Sequence, residues 1–330
     1  MKAIVYSRYG GPEVLGFKDI DRPVPKGGEV LVRVLATSLN AYDWHMLSAD
    51  LFLVRLMGGG LFKPKTNVPG CDIAGRVEEV GPNVAGLRPG DAVFGDIAGS
   101  GGGGLAEFAL ARERALAPVP AGVSFEEAAA APMAALTVLQ GLRDKGKIKA
   151  GQKVLINGAS GGVGTFAVQF AKMFGAEVAA VCSSDKMDLA RSLGADRVID
   201  YTREDFTRTG ERYDLIFAAN GYHPILAYKR ALAASGVYIM VGGTLAQILQ
   251  GTVLGPILSI GGGKKFGMAV AQSNPEDLTT IKELLEARKI VPVIDRRYPF
   301  EEAVEAFRYF GQGHARGKVV ITQSERTSSS

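Results

Sequence analysis

The chain has 330 residues, 47% hydrophobic and 22% charged, with a formal net charge of +4. That suits two globular domains with a sizeable core and excludes a disordered or fibrous chain. Lysine and arginine are scattered, with no basic stripe interleaved with aromatics, so nothing points to a nucleic-acid partner.

The first residues, Met1–Tyr6, read as a strand and lack the long apolar core and cleavage site of a signal peptide. Up to about residue 120, short alternating runs such as Glu29–Ala36 and Gly75–Val80 are broken by Gly and Pro turns, the pattern of a β-rich domain. From Ser124 long helical periods alternate with apolar strands at Lys153–Asn157, Glu177–Cys182, Arg197–Asp200, Asp214–Ala219 and Val237–Val241. This alternation predicts an α/β fold with a doubly wound parallel sheet. Short strands return near Val291–Ile294 and at Lys318–Thr322, and the polar tail 324–330 is expected to be disordered. The economical arrangement inserts a nucleotide-binding domain, 122–290, into a β-rich domain made of 1–121 and 291–323. Two cysteines, Cys71 and Cys182, cannot build a disulfide framework or a zinc ribbon, and the expected setting is a reducing cytoplasm.

The run Val154-Leu-Ile-Asn-Gly-Ala-Ser-Gly-Gly-Val-Gly164 reads as a buried strand, a tight turn and a helix N-terminus. Such a turn aims backbone N–H groups and the positive end of the helix dipole at an anion, usually a diphosphate. Ala159, Gly161 and Gly164 stand where a dinucleotide fingerprint wants its small residues, with Ser160, Gly162 and Val163 between them. Gly175 can close the helix, and Glu177–Cys182 supplies the second strand of a βαβ unit. That strand ends at Ser183 and Ser184 rather than at an acid. Small hydroxyls leave room for a 2′-phosphate and Lys186 supplies charge, so NADPH is expected as cofactor. Asp185 reads as a helix cap or first-turn acid.

Two apolar stretches stand out. Leu245–Gly263 carries no formal charge and nears the length of a membrane span, but glycines and Pro256 interrupt it. It is expected to lie in the core or at a dimer interface, with a lipid-facing (peripheral membrane) or substrate-lid role left open. Leu51–Phe62 is a shorter counterpart, and together they suggest a hydrophobic substrate.

Several stretches together resemble the medium-chain dehydrogenase/reductase superfamily, in its zinc-independent quinone-oxidoreductase-like branch. They are Tyr9-Gly-Gly-Pro-Glu-Val-Leu15, Ser38-Leu-Asn-Ala-Tyr-Asp-Trp44, Pro69-Gly-Cys-Asp-Ile-Ala-Gly75, Val80-Gly-Pro-Asn-Val84, the glycine turn, and Gly313-His-Ala-Arg-Gly-Lys-Val-Val-Ile321. Within the branch, Gly101–Phe108 and Ala218-Ala-Asn220 look most like the chloroplast-envelope quinone-oxidoreductase homologue, whose relatives reduce activated C=C bonds with NADPH. The resemblance implies a GroES-like β-barrel domain, a Rossmann domain with the active site in the cleft between them, and a homodimer. It implies cofactor contacts at Tyr201, Asn220, Val241, Gly242 and Gly243, backbone contacts at Gly267, Met268 and Ala269, and further contacts at Thr137 and Lys318. It places Asn40 and His45 beside the nicotinamide, with His45 where relatives often carry Tyr.

His45 can donate a proton to an enolate near neutral pH, Tyr42 is a second donor, and protonation by solvent is a third route. Asp43 is read as structural, holding its loop through backbone hydrogen bonds. Pro69-Gly-Cys-Asp72 stands where zinc-dependent relatives have Pro-Gly-His-Glu, and His45, Cys71 and Asp72 alone make a poor zinc site, so no metal is expected. The reading is hydride transfer from NADPH to a small hydrophobic enone, enal or quinone. Two alternatives are a non-catalytic NADPH-binding sensor or membrane-surface protein, and a serine hydrolase using Ser160 of Gly158–Gly162 with Asp295 and His314.

Overall fold

The computed structural model describes all residues except 51–54, 56–59, 66, 220–222, 244, 262 and 325–330. The chain forms two compact units, Met1–Met133 with Ser273–Ser330, and Ala134–Gln272. In chain order the first unit supplies β1 (Lys2–Val5), β2 (Gly16–Asp19), β3 (Glu29–Leu39), β4 (Asp72–Val80), β5 (Ala92–Asp96), β6 (Phe108–Arg112) and β7 (Leu116–Pro118). The second contains β8 (Lys153–Asn157), β9 (Glu177–Cys182), β10 (Arg197–Asp200), β11 (Tyr213–Ala218), β12 (Leu232–Met240) and β13 (Lys265–Met268). The chain then returns to the first unit for β14 (Ile294–Pro299) and β15 (Lys318–Thr322).

The first unit is the GroES-like domain. Its main sheet runs β14-β15-β3-β4-β5-β7, with β6 on β3, and every pairing but β14–β15 is antiparallel. Alternation makes β3 the spine: Val30, Val32 and Val34 point into a core with Ile73, Val77, Val93 and Ala109. A second cluster joins Leu39 and Leu47 to Phe300, Phe307, Val319 and Ile321.

The second unit is the Rossmann-like domain, a six-stranded sheet of order β10-β9-β8-β11-β12-β13 with all pairs parallel. The interior strands β8, β9 and β11, buried almost throughout, read as near-continuous apolar runs and are legible in the sequence, whereas the edge strands β10 and β13 are only partly covered. Below the sheet Phe206, Tyr228, Tyr238 and Phe266 form an aromatic ladder, with neighbouring ring centroids 4.7–6.1 Å apart.

Three expectations are corrected. The domain boundaries, expected after 121 and after 290, fall after 133 and after 272. Helix Phe125–Ala129 packs on β3, β4 and β5, its Glu126 and Glu127 paired with Arg297 and Arg288, and helix Pro275–Glu286 packs on β7. Helical periodicity cannot show which domain a helix covers. β13 was missed as a strand, because Lys265-Phe-Gly-Met is short and carries glycine. The segment 245–263 is not core: it winds as Leu245–Leu249, Gln250–Leu254 and Gly255–Leu258, and Leu249, Val253, Ile257 and Ile260 are more than half exposed. Among the described residues no helix is long and apolar enough to cross a membrane. Most of the stretch 51–62, and 325–330 of the tail, lie outside the described residues.

Candidate active site

The candidate nucleotide site of the second unit is built on the carboxyl edge of the parallel sheet, where open α/β sheets bind ligands. β8 ends at Asn157, whose Nδ2 donates to the Tyr228 hydroxyl at 2.7 Å. The left-handed turn falls on Gly158, with φ +83°, so the alanine at 159 carries no backbone penalty. The amides of Gly158 and Ala159 donate to Val181 O, tying the turn to β9. Gly161 is the N-cap of helix Gly162–Met173, which ends with Gly175 at φ +78°. The first amides of this twelve-residue helix have no partner within it, and no acidic side chain stands in its first turn. A Cβ on Gly164 would lie 2.0 Å from Gly158 O, so only glycine lets the helix sit this close to the turn, whereas one on Gly161 would meet nothing nearer than 3.8 Å. The cradle fits a dinucleotide diphosphate.

Around it, the ends of the neighbouring strands carry the other expected cofactor residues. Beyond β9, Ser183 Oγ donates to Asp185 at 2.6 Å and Ser184 Oγ to Asp200, which also accepts from Thr202 N and Oγ1. These hydrogen bonds hold the Asp200 carboxyl below its ordinary range. Asp185 lies in the single turn Ser184–Lys186, as a first-turn acid. Lys186 is half-buried there and Tyr201, beyond β10, is exposed. Val241, Gly242 and Gly243 follow β12, Gly267 and Met268 sit on β13, and Ala269 N donates to Met240 O at 2.8 Å. Thr137 is buried on helix Pro132–Leu139. Asn220 lies outside the described residues.

The chemistry-bearing part of the first unit centres on helix Ala41–Ser48, which starts where β3 ends. Asp43 acts as expected: one oxygen accepts from Asn40 N at 2.9 Å and the other from Gly70 N at 3.2 Å. Asn40 is buried, its Oδ1 accepting from Lys318 Nζ and its Nδ2 donating to Asp72 Oδ2 at 2.9 Å. Lys318 is 2% exposed and pairs with Asp72 at 3.3 Å. Both polar ends of the Asn40 amide are thus engaged inside the unit, and the Lys318 ammonium faces the buried Asn40 and Asp72. Tyr42 is 42% exposed, its pKa pushed up to about 12 by partial burial and by Cys71, Asp43 and Asp96. His45 Nδ1 lies 2.8 Å from Asp50 Oδ1, a contact that orients its ring.

Sequence reasoning weighs Asp72 only as a metal ligand and passes over Asp96. Asp72 is wholly buried, and besides Asn40 and Lys318 it accepts from Ser38 Oγ and from Met133 N. Asp96 accepts from Ala98 N, and burial with the Asp72 charge pushes its pKa up to about 7. Asp43, pushed up by burial and Asp72 to about 6, shares the cluster. The available signal was Lys318 itself, a cation opening an otherwise apolar strand, which demands a buried anion. Among the described residues no three of His, Cys, Asp and Glu form a metal-ligand set. Burial drives the Cys71 thiol well above its ordinary range, and the Asp43 and Asp96 charges push it the same way.

A parallel sheet of this order with a glycine-cradled helix, joined to a GroES-like unit, defines a dinucleotide-dependent dehydrogenase or reductase. The chain belongs to the medium-chain dehydrogenase/reductase superfamily, in its quinone-oxidoreductase-like branch, and is an oxidoreductase. Residues 26–121 match the alcohol dehydrogenase GroES-like domain and residues 193–321 the zinc-binding dehydrogenase family. The chain is 38% identical to the 2-methylene-furan-3-one reductase of Solanum lycopersicum, over 97% of this chain and 79% of that protein. It is 34% identical to the chloroplast envelope quinone oxidoreductase homolog of Arabidopsis thaliana, over 97% and 98%. It is 35% identical to the NADPH-dependent alkenal/one oxidoreductase of the same plant, over 97% and 79%. The fold matches the quinone oxidoreductase from Coxiella burnetii with a TM-score of 0.86 at 28% identity, over 98% of this chain and 99% of that one. Membership replaces the serine-hydrolase alternative, and Asp295, its expected acid, accepts instead from the Tyr309 hydroxyl at 2.6 Å.

Proposed function

We propose that the protein reduces an α,β-unsaturated carbonyl, an enone or enal, using NADPH and without zinc, with a quinone as the second acceptor class. The observation that carries the cofactor choice is the end of β9, where Ser183, Ser184 and Lys186 stand and both nearby acids are engaged by hydroxyls. Two relatives whose names specify enone-type reduction support the acceptor class. When bound, the dihydronicotinamide supplies a hydride to the β-carbon, and one proton completes the saturated carbonyl. The turn Gly158–Gly164 binds the diphosphate through backbone amides, and Lys186 neutralises the 2′-phosphate. His45, steadied by Asp50, donates a proton to the enolate oxygen, with Tyr42 as the alternative donor, and the enol then takes a proton from water at the α-carbon and returns the one on oxygen to give the saturated carbonyl. An enolate needs hydrogen-bond donors rather than a Lewis acid, so the chemistry runs without a metal.

The two buried thiols suit a reducing compartment, and we place the protein in the cytoplasm. We propose a homodimer; the exposed side chains Leu249, Val253, Ile257 and Ile260 supply an apolar face for it, and the same face is the candidate for peripheral membrane contact. The test is anaerobic NADPH oxidation with a medium-chain 2-alkenal and a simple quinone side by side, with NADH as control. Saturated aldehyde as product with NADPH preferred supports the reading. Turnover with quinone alone shifts it to quinone reduction, and cofactor binding without turnover favours a sensor.

A further inference from the structure

The Lys318–Asp72 pair asks for an explanation that stability does not give. A buried ion pair often contributes nothing over apolar residues of equal volume, because desolvation offsets the attraction. Yet here both charges are almost fully buried, and apart from Met133 N the partners of Asp72 and the Lys318 ammonium gather where β3 runs into helix Ala41–Ser48. The register of β15 on β3 pairs Val319 with Leu39, which sets Lys318 opposite Asn40, the residue from which helix Ala41–Ser48 starts. Lys318 holds the Asn40 amide from one side and Asp72 holds it from the other. Asp43, in the first turn of the same helix, clamps Asn40 N and Gly70 N. The helix is thereby fixed at its N-terminus by four polar contacts, while its middle is fixed by Trp44, which lies against Gly311 so tightly that a Cβ there would come within 2.2 Å of the indole.

We infer that Lys318 is a positioning residue: acting through Asn40 and Asp72, it sets helix Ala41–Ser48 and so the placement of Tyr42 and His45, and it does not bind the cofactor. The inference rests on the reductase reading for its catalytic meaning but not for its geometry. A helix displaced by about 1 Å would leave the proton donors out of reach, a change that can reduce turnover about 10²-fold.

Trp44 is the only tryptophan of the chain and lies between Tyr42 and His45, so its fluorescence reports the helix directly. The variant is Lys318→Met combined with Asp72→Asn, which removes both charges of the pair together; far-UV circular dichroism verifies its fold. Lys318→Arg is the conservative counterpart. Trp44 emission and acrylamide quenching, NADPH affinity by titration calorimetry, and kcat are measured on each. We expect the double variant to quench about twofold more strongly and to bind NADPH within about threefold of the parent. Turnover should fall about 10²-fold, and Lys318→Arg should restore most of both signals. Unchanged Trp44 quenching in the double variant overturns the inference. So does unchanged quenching with NADPH affinity lowered tenfold, which makes Lys318 a cofactor contact. If the parent protein turns over no acceptor, the reductase reading falls, while Trp44 and the NADPH titration still decide the role of Lys318.

Discussion

Two alanine substitutions in the glycine turn separate packing from binding. At Gly164 the new Cβ would lie 2.0 Å from Gly158 O and 2.8 Å from Ala159 C and Cα. All are backbone atoms, so no side chain can rotate away and helix Gly162–Met173 must lift from the turn. Overpacking of this kind costs about 1–3 kcal/mol, which for a domain of this size lowers Tm by roughly 3–12 °C. At Gly161 the backbone is extended, with φ −83° and ψ 176°, and the nearest atom to a Cβ is Gly158 O at 3.8 Å. Gly161→Ala therefore leaves stability within about 0.5 kcal/mol. Its methyl instead occupies the approach of the diphosphate, and NADPH binding weakens about tenfold, or about 1.4 kcal/mol. Scanning calorimetry and NADPH titration on both variants make the comparison. If Gly161→Ala lowers Tm as much as Gly164→Ala, or binds NADPH within twofold of the parent, the cradle has been misread.

Replacing Lys186 with Ala is expected to raise KM for NADPH about tenfold while KM for NADH stays put; a parallel rise in both would remove its 2′-phosphate role. His45→Phe should lower kcat with enals about 10²-fold at unchanged NADPH affinity, and if kcat holds within twofold the proton comes from Tyr42 or solvent. The Asp96 carboxyl, raised to about 7, binds its proton more tightly folded than unfolded, so its contribution is present at low pH and is lost as pH rises from about 4 through 7. Urea midpoints should therefore drop between pH 5 and pH 8, and Asp96→Asn, which retains the acceptor for Ala98 N, should flatten that drop; parallel profiles for parent and variant would refute it.

The sequence spoke most clearly where burial is two-sided. β8, β9, β10 and β15 fall at the residues expected: β8 and β9, inside the sheet, are apolar beyond their first residue because both faces are covered, while the edge strand β10 shows only its Val198-Ile199 pair. The glycine turn was legible for a steric reason, since Gly164 tolerates no side chain. What stayed hidden depended on contacts between distant segments. Asp72 and Asp96 look ordinary in sequence, and only the pairing of β4 with β3 and β5 brings Asp72 beside Asn40 and opposite Asp96. Charge alone does not say which way the Lys318 ammonium faces; the pairing of β15 with β3 does. Helices Phe125–Ala129 and Pro275–Glu286 were given to the wrong domain because an amphipathic face names no partner.

The order in which the strands are joined also decides when each unit can form during synthesis. The second unit is one unbroken stretch and can close its sheet as soon as residue 272 is made. The first unit waits: β3 is among the earliest strands, but its neighbour β15 is among the last, and Asn40 meets Lys318 across 278 residues of chain. At ordinary rates of translation that is a delay of roughly 14–56 s. Through that interval β6 covers only Glu29–Arg33 of that edge of β3, Ala36–Leu39 has no partner strand, and the carboxylate of Asp72 has no lysine. The nascent chain thus carries a finished nucleotide unit tethered to an open sheet, the state in which wrong pairing between edges is most dangerous.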